Sequence, residues 1–154
     1  MDNQSGAEVS PTSLLEHTEL HLPSSLESVS EIERAVEAMA GRAGFDEDTA
    51  SNIAMVTREA AINACKHGNK YAGDKRVDVV LDRTADGIRI CITDQGDGLD
   101  PDSLPDPLDP ANLLRSSGRG VFLMRAIMDE VHFRQLQPGT EVTLIKHRHL
   151  EATS

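Results

Sequence analysis

Three short segments of this chain combine residue types that can do chemistry. Residues 59–68 have the sequence Glu-Ala-Ala-Ile-Asn-Ala-Cys-Lys-His-Gly, residues 94–98 have Asp-Gln-Gly-Asp-Gly, and residues 118–120 have Gly-Arg-Gly. The first segment supplies a carboxylate, a carboxamide and cations. The other two supply glycines, which allow a backbone to approach a ligand closely. Together and in this order, the three segments predict a nucleotide site.

The first segment places its polar side chains on one face of a helix. Glu59, Asn63 and either Lys66 or His67 follow one another at spacings of three or four residues, which stacks them on that face. A carboxamide oxygen suits Mg²⁺, and Glu59 can accept a proton or hold a metal-bound water. Lys66 can neutralise phosphate charge, whereas a histidine at a helix end more often contacts the last carbonyls. The alternative is an exposed polar helix face without a ligand.

The second segment follows a β-branched run at residues 88–92. A carboxylate at the end of a strand, here Asp94, can accept a hydrogen bond from an exocyclic amine such as that of adenine. Gly96 and Gly98 permit a tight turn and the close approach of a base. The alternative is an ordinary Asp/Gly turn.

The third segment lies between a stretch rich in proline and aspartate and the start of a helix. At Gly118 and Gly120, free backbone N–H groups and the positive end of the helix dipole favour phosphates. Nearby hydroxyls could contact phosphate or cap the helix, and nearby guanidinium groups could contact phosphate or only solvate the surface. These side chains are Ser116, Ser117, Arg115 and Arg119.

Apolar spacing predicts the elements that hold these segments. We expect a mobile tail over residues 1–13 and a single domain over residues 14–150. An edge strand is predicted over residues 16–22, and a helix capped by Ser24 or Ser25 buries a stripe that includes Leu26. A second helix begins near Asp46.

The second half of the chain predicts two hairpins separated by a loop and a helix. Residues 77–81 and 88–92 form the first hairpin, with Asp86-Gly87 as its turn signal. Residues 98–117 form an irregular loop, often a lid, and residues 131–136 and 140–147 form the second hairpin after a helix. The fold class is therefore α/β: a two-layer α+β sandwich with a mixed, mainly antiparallel sheet covered on one face by helices.

The composition and net charge of the chain make some classes of binding partner and some locations less favourable. The chain has 154 residues, 38% of them hydrophobic, and a net charge of −11, which repels nucleic acid and anionic lipid. We expect no membrane span, because no apolar run approaches about 20 residues. Cys65 and Cys91 are predicted to be buried, reduced thiols, which is consistent with a cytoplasmic location.

The three segments together resemble the ATP-binding domain of histidine kinases, gyrase-type topoisomerases and ninety-kilodalton heat-shock chaperones, the Bergerat fold. Residues 59–67 look like its N box, residues 94–98 like its G1 box and residues 118–124 like its G2 box. Residues 23–24, 44–45 and 128–131 are similar to one branch of this superfamily, the bacterial anti-sigma-factor serine/threonine kinases.

That resemblance implies a domain that binds ATP and Mg²⁺, sequesters a sigma factor and phosphorylates a Ser or Thr on an anti-anti-sigma (STAS-type) antagonist. By position, Glu59 would be the general base, Asn63 the metal ligand and Asp94 the adenine contact, with Thr140 supporting Asp94. The implied ATP-binding residues are Asn63, Lys66, His67, Asp94, Gly96, Gly98, Ser117, Gly118, Arg119, Gly120 and Thr140.

The resemblance also implies a homodimer. The competing hypothesis is a non-catalytic ATP-binding regulatory module that acts by partner binding alone. Glu59 and Asn63 together favour the kinase, because a module that only binds could dispense with Glu59.

Overall fold

The computed structural model describes residues 14–65, 75–96, 116–136 and 139–148, and only the backbone of residues 116–119. The elements in these ranges are β1 (Leu14–Pro23), α1 (Leu26–Arg42), α2 (Glu47–Asn63), β2 (Arg76–Thr84), β3 (Gly87–Thr93), α3 (Ser116–Ile127), β4 (Glu130–Gln135) and β5 (Thr140–His147). The predicted tail at 1–13, Lys66, His67, Gly98, Arg115 and the predicted loop up to residue 115 lie outside the described residues.

The described strands form one sheet in the order β1-β2-β3-β5-β4. All four pairings in this sheet are antiparallel. In the β4–β5 hairpin, β5 pairs with β3, so β4 lies at the edge of the sheet. The helices cover one face of the sheet, which confirms the predicted two-layer α/β sandwich. The sheet was predicted to be mixed, but the described strands pair only antiparallel, because each pairs with neighbours joined by turns or running back alongside it.

Alternation along the strands places the core between the sheet and the helices. In β2, Val77, Val79 and Leu81 are buried, whereas the intervening Asp78 and Val80 are only partly buried. Burying each such aliphatic side chain stabilises the fold by roughly 1.5–3 kcal/mol. The largest fully buried side chains elsewhere in the core include Ile32, Met39, Ile53, Ile90, Ile92, Met124 and Leu144.

Side-chain caps begin the first two helices where the sequence predicts. The hydroxyl of Ser25 accepts a hydrogen bond from the Ser28 N–H at 3.2 Å. The carboxylate of Asp46 accepts one from the Thr49 N–H at 2.7 Å, and this bond lowers the pKa of Asp46. Each cap satisfies a donor that has no partner within the helix.

The prediction that Leu26 belongs to the buried stripe of α1 is wrong, because its side chain is 59% exposed. At about 100° per residue, Leu26 lies roughly 120° around the helix from Ile32. Ile32 and Met39 are buried on the side that faces the core. The first turn of α1 therefore presents Leu26 to solvent.

The first hairpin turns one residue earlier than the Asp86-Gly87 signal suggests. Thr84 pairs with Gly87, so Ala85 and Asp86 form the turn and Gly87 begins β3. The Thr84 hydroxyl accepts hydrogen bonds from the N–H groups of Asp86 and Gly87, each at 3.1 Å. Gly87 is required because a Cβ there would overlap the backbone of Lys146.

Both cysteines are free and buried, as predicted. Within the described part of the chain, none of the helices has the length and apolar character needed to cross a membrane.

Candidate functional site

The carboxylate of Asp94 is fixed by backbone donors just beyond the end of β3. The N–H groups of Gly96 and Thr140 donate to Asp94 Oδ1 at 3.0 Å and 3.1 Å. The Asp94 N–H in turn donates to the Thr140 carbonyl at 3.0 Å. Asp94 is only 6% exposed. Because both bonds that the described residues make to the carboxylate fall on Oδ1, Oδ2 has capacity to accept a hydrogen bond from a ligand.

Burial raises the pKa of Asp94 above its ordinary value, and the two N–H donors and the Lys75 ammonium offset this only in part. An ionised carboxylate in this position costs stability, because the folded state holds the proton more tightly than the unfolded chain does. Groups with shifted pKa values concentrate at functional sites. Asp94 therefore has the environment expected of a binding residue.

Gly139, which the sequence analysis did not single out as a site residue, is required by the position of Asp94. Its φ is +103°, and a Cβ there would overlap the Asp94 carbonyl and lie 3.4 Å from Asp94 Oδ1. The signal that could have identified Gly139 from the sequence is its position directly before Thr140. Any larger residue would push the β4–β5 turn away from the carboxylate.

The first and third segments meet where α2 packs against the start of α3. A Cβ on Gly120 would lie 3.0 Å from Glu59 Cγ, 3.2 Å from Glu59 Oε2 and 3.5 Å from Asn63 Nδ2. Glu59 and Asn63 are both half-buried. The absence of a side chain at Gly120 thus lets the backbone of α3 lie directly against the two polar residues of α2.

Helix α3 begins at Ser116, so Gly118 lies inside its first turn and not before the helix as the sequence suggested. The N–H groups of this turn have no partner within the helix, and they form a place where a phosphate can bind. The side chains of Ser117 and Arg119 lie outside the described residues, so their contacts with phosphate stay predictions.

Helix α2 ends at Asn63, and the chain continues in a π-helical turn through Cys65. Such turns occur frequently at functional sites.

The Cys65 thiol donates to the Ser25 carbonyl at 3.9 Å, and burial raises its pKa. Cys65 therefore joins the end of α2 to the start of α1, and its role is structural.

The described residues contain no group of three or more His, Cys, Asp or Glu side chains that could hold a metal ion. Magnesium does not require such a group, because it commonly takes one or two protein oxygens together with phosphates and waters. Asn63, beside the first turn of α3, fits this requirement with a single carboxamide oxygen.

A model of the histidine kinase-like ATPase domain matches residues 22–146. The chain belongs to this family. Its members bind ATP, and the fold described above has the expected sheet and helices. The prediction that the chain resembles the anti-sigma-factor kinase branch is also confirmed, because the chain is similar to serine-protein kinases named RsbW.

Two of these relatives match most of the chain. The serine-protein kinase RsbW of Staphylococcus epidermidis is 31% identical over 139 residues, which is 86% of this chain and 87% of the relative. The Staphylococcus aureus protein of the same name is 29% identical over 136 residues, which is 84% of this chain and 85% of the relative.

Solved structures show the same fold. The crystal structure of RsbU and RsbW domains from Mycobacterium tuberculosis superimposes with a TM-score of 0.62 at 18% identity, covering 86% of this chain and 33% of that chain. A blue-light activated histidine kinase from Erythrobacter litoralis superimposes with a TM-score of 0.57 at 18% identity, covering 81% of this chain and 42% of that chain.

The structure thus brings the predicted site residues together in two groups. Glu59 and Asn63 contact Gly120, and Asp94 is bonded to Gly96 and Thr140. Thr140 takes part through its backbone N–H and carbonyl. Three predicted ATP-binding residues, Lys66, His67 and Gly98, lie outside the described residues.

Proposed function

We propose that this chain is an ATP-dependent serine/threonine protein kinase that acts as an anti-sigma factor. The predicted enzyme class is confirmed by the similarity to serine-protein kinases. The observation that carries the proposal is the packing of Glu59 and Asn63 against Gly120. This contact puts a carboxylate and a carboxamide beside the start of α3, where backbone N–H groups can receive phosphates.

The adenine base binds at Asp94. Its Oδ2 accepts a hydrogen bond from the exocyclic amine, while Gly96 and Thr140 hold Oδ1 in place. A guanine base presents a carbonyl at the same position, which would face the carboxylate with a second acceptor. The fixed carboxylate therefore selects adenine over guanine.

The phosphates bind at the first turn of α3, where backbone N–H groups and the helix dipole favour negative charge. Asn63 would hold Mg²⁺ there, and the cation would neutralise charge on the phosphates. Phosphoryl transfer depends mainly on such positioning and charge stabilisation.

Glu59 acts on the protein substrate. Its carboxylate takes the proton from a Ser or Thr hydroxyl while that oxygen forms a bond to the γ-phosphorus and the bond to the ADP oxygen breaks. The contact with Gly120 limits where the carboxylate can lie. Glu59 is thus the catalytic residue of the proposed site.

We further propose the partners of this reaction. The phosphate acceptor is an anti-anti-sigma protein of the STAS type, and the sequestered protein is a sigma factor. The kinase domain comprises residues 14–150, forms a homodimer and works in the cytoplasm. The similarity to the RsbW kinases supports the two protein partners.

The deciding experiment measures transfer of label from γ-labelled ATP to candidate antagonist domains from the same genome, with Mg²⁺ present. Glu59→Gln is expected to lower transfer by about 100-fold or more, which is typical of losing a general base, and to retain ATP binding. Glu37→Gln makes the same change at an exposed position of α1 and serves as the matched control. Retained transfer in Glu59→Gln would contradict the assignment of the base.

A second variant tests the adenine contact. Asp94→Asn keeps an oxygen for Gly96 and Thr140 but replaces Oδ2 with an N–H donor that faces the amine. Losing a charge-assisted bond and creating an unpaired donor together cost roughly 3–5 kcal/mol, which is about 100-fold to 1,000-fold or more in the Kd for ATP.

If the wild-type protein binds ATP but labels none of the candidate antagonists, the non-catalytic module is favoured instead.

A further inference from the structure

Strands β2 and β3 separate next to Asp94. Their last paired residues are Asp78 and Thr93, and the same antiparallel register would place Val77 opposite Asp94 and Arg76 opposite Gln95. Beyond Thr93, the chain stays with β5, because the Asp94 N–H donates to the Thr140 carbonyl. The backbone pairing of β2 with β3 thus ends before Arg76 and Gln95, which leaves a gap in the ladder there.

The side chain of Gln95 spans this gap. Its Oε1 accepts a hydrogen bond from the Arg76 N–H at 2.7 Å. In a regular ladder, the Gln95 backbone carbonyl would accept that bond. A side-chain oxygen thus replaces a backbone oxygen at the point where the strand turns away.

This bond connects the Asp94 turn to a second part of the fold. Arg76 begins β2, and the carbonyl of the preceding Lys75 accepts a bond from the Ser24 N–H at 3.3 Å. Gln95 therefore anchors the turn to β2 and, through it, to the junction of β1 with α1.

We propose that Gln95 is a positioning residue for the nucleotide base, an inference that rests on the proposed binding of adenine at Asp94. Thr140 holds the Asp94 carboxylate from the β5 side, and Gln95 holds the adjoining backbone from the β2 side. With both anchors in place, Oδ2 has a fixed direction before the base arrives. This preorganisation lowers the entropic cost of binding.

The test compares the Kd for ATP in two variants of Gln95. Gln95→Leu removes the acceptor while keeping a side chain of similar size, and we expect the Kd to rise by about fivefold or more, as for the loss of at least one hydrogen bond. Gln95→Glu keeps an oxygen for Arg76, and we expect its Kd to stay within about twofold of the wild-type value.

Thr84→Val is the matched control. It removes a side-chain acceptor of backbone N–H groups at the far end of the same hairpin, so it costs comparable stability without affecting the base. We expect its Kd for ATP to equal that of the wild type, with unfolding in urea measured for all three variants. An equal loss of affinity in Thr84→Val and Gln95→Leu would overturn the inference.

Two further outcomes would also overturn it. One is a Kd in Gln95→Leu equal to that of the wild type, and the other is a loss of affinity in Gln95→Glu equal to the loss in Gln95→Leu.

The Asp94→Asn variant separates failure of this inference from failure of the proposed function. If Asp94→Asn loses ATP while Gln95→Leu does not, adenine recognition stands and only the role of Gln95 is wrong. If Asp94→Asn binds ATP normally, the proposed base site is wrong.

Discussion

Replacing Gly120 with alanine should impair catalysis, although alanine is the better helix former. Alanine in a helix is more favourable than glycine by about 0.5–1 kcal/mol. Its Cβ, however, would lie 3.0 Å from Glu59 Cγ, whereas non-bonded carbons prefer about 3.5–4.0 Å. Glu59 must therefore move by a few tenths of an ångström. Misplacement by about 1 Å can lower a rate about 100-fold, so for this smaller shift we expect transfer to slow by about threefold to tenfold.

The assay follows transfer from γ-labelled ATP to the antagonist domain at saturating ATP, together with the Kd for ATP and unfolding in urea. Gly41→Ala is the control, because Gly41 is also helical and a Cβ there would meet nothing within 4 Å. It should gain the stability that alanine gives a helix and keep full activity. A wild-type transfer rate in Gly120→Ala would refute the reasoning that this contact positions the base.

Three other changes test the anchors of the fold. Gly139→Ala forces a Cβ into the Asp94 carbonyl at a φ of +103°; it should destabilise the protein by about 2 kcal/mol or more and weaken ATP binding, as urea unfolding and calorimetry would show. Arg42 and Arg83 lower the pKa of Glu16 from 4.5 to about 2. The folded state therefore releases this proton more readily than the unfolded chain, so its stabilising effect is present above about pH 5 and is lost as the pH falls towards 2. Glu16→Gln should remove that part of the pH dependence of stability. Lys146→Met removes the donor to the Ile127 carbonyl at 2.8 Å and should lower the free energy of unfolding by about 1 kcal/mol.

Local patterns were sufficient to predict most of the elements. The alternation of residues 16–22 predicts β1, and Ser25 and Asp46 mark the helix starts that the structure shows. These features depend on neighbours only a few residues apart. The prediction that Leu26 is buried was wrong because burial depends on tertiary packing: the side of α1 that faces the sheet is not set by residues close in sequence.

The contacts of the site could be predicted only in part. Spacing placed Glu59 and Asn63 on one helix face, but no spacing rule predicts that Gly120 lies against them. The same is true of Gly139 and Gln95, whose roles depend on where β3 leaves β2 and stays with β5. Sequence reasoning recognises residue types that can do chemistry, and it overlooks residues that act by fitting the backbone.

Much of the Asp94 site depends on the backbone, and this determines which substitutions it can tolerate. Gly96 and Thr140 contribute N–H groups, and Gly139 contributes the absence of a side chain. An N–H group survives almost any substitution other than proline, so the side chain of Thr140 is not what fixes the carboxylate. The site therefore places its strictest demands on Asp94 itself and on Gly139. We therefore expect Thr140→Val, which keeps the N–H group, to leave the Asp94 carboxylate held as in the wild type, whereas Gly139→Ala displaces it.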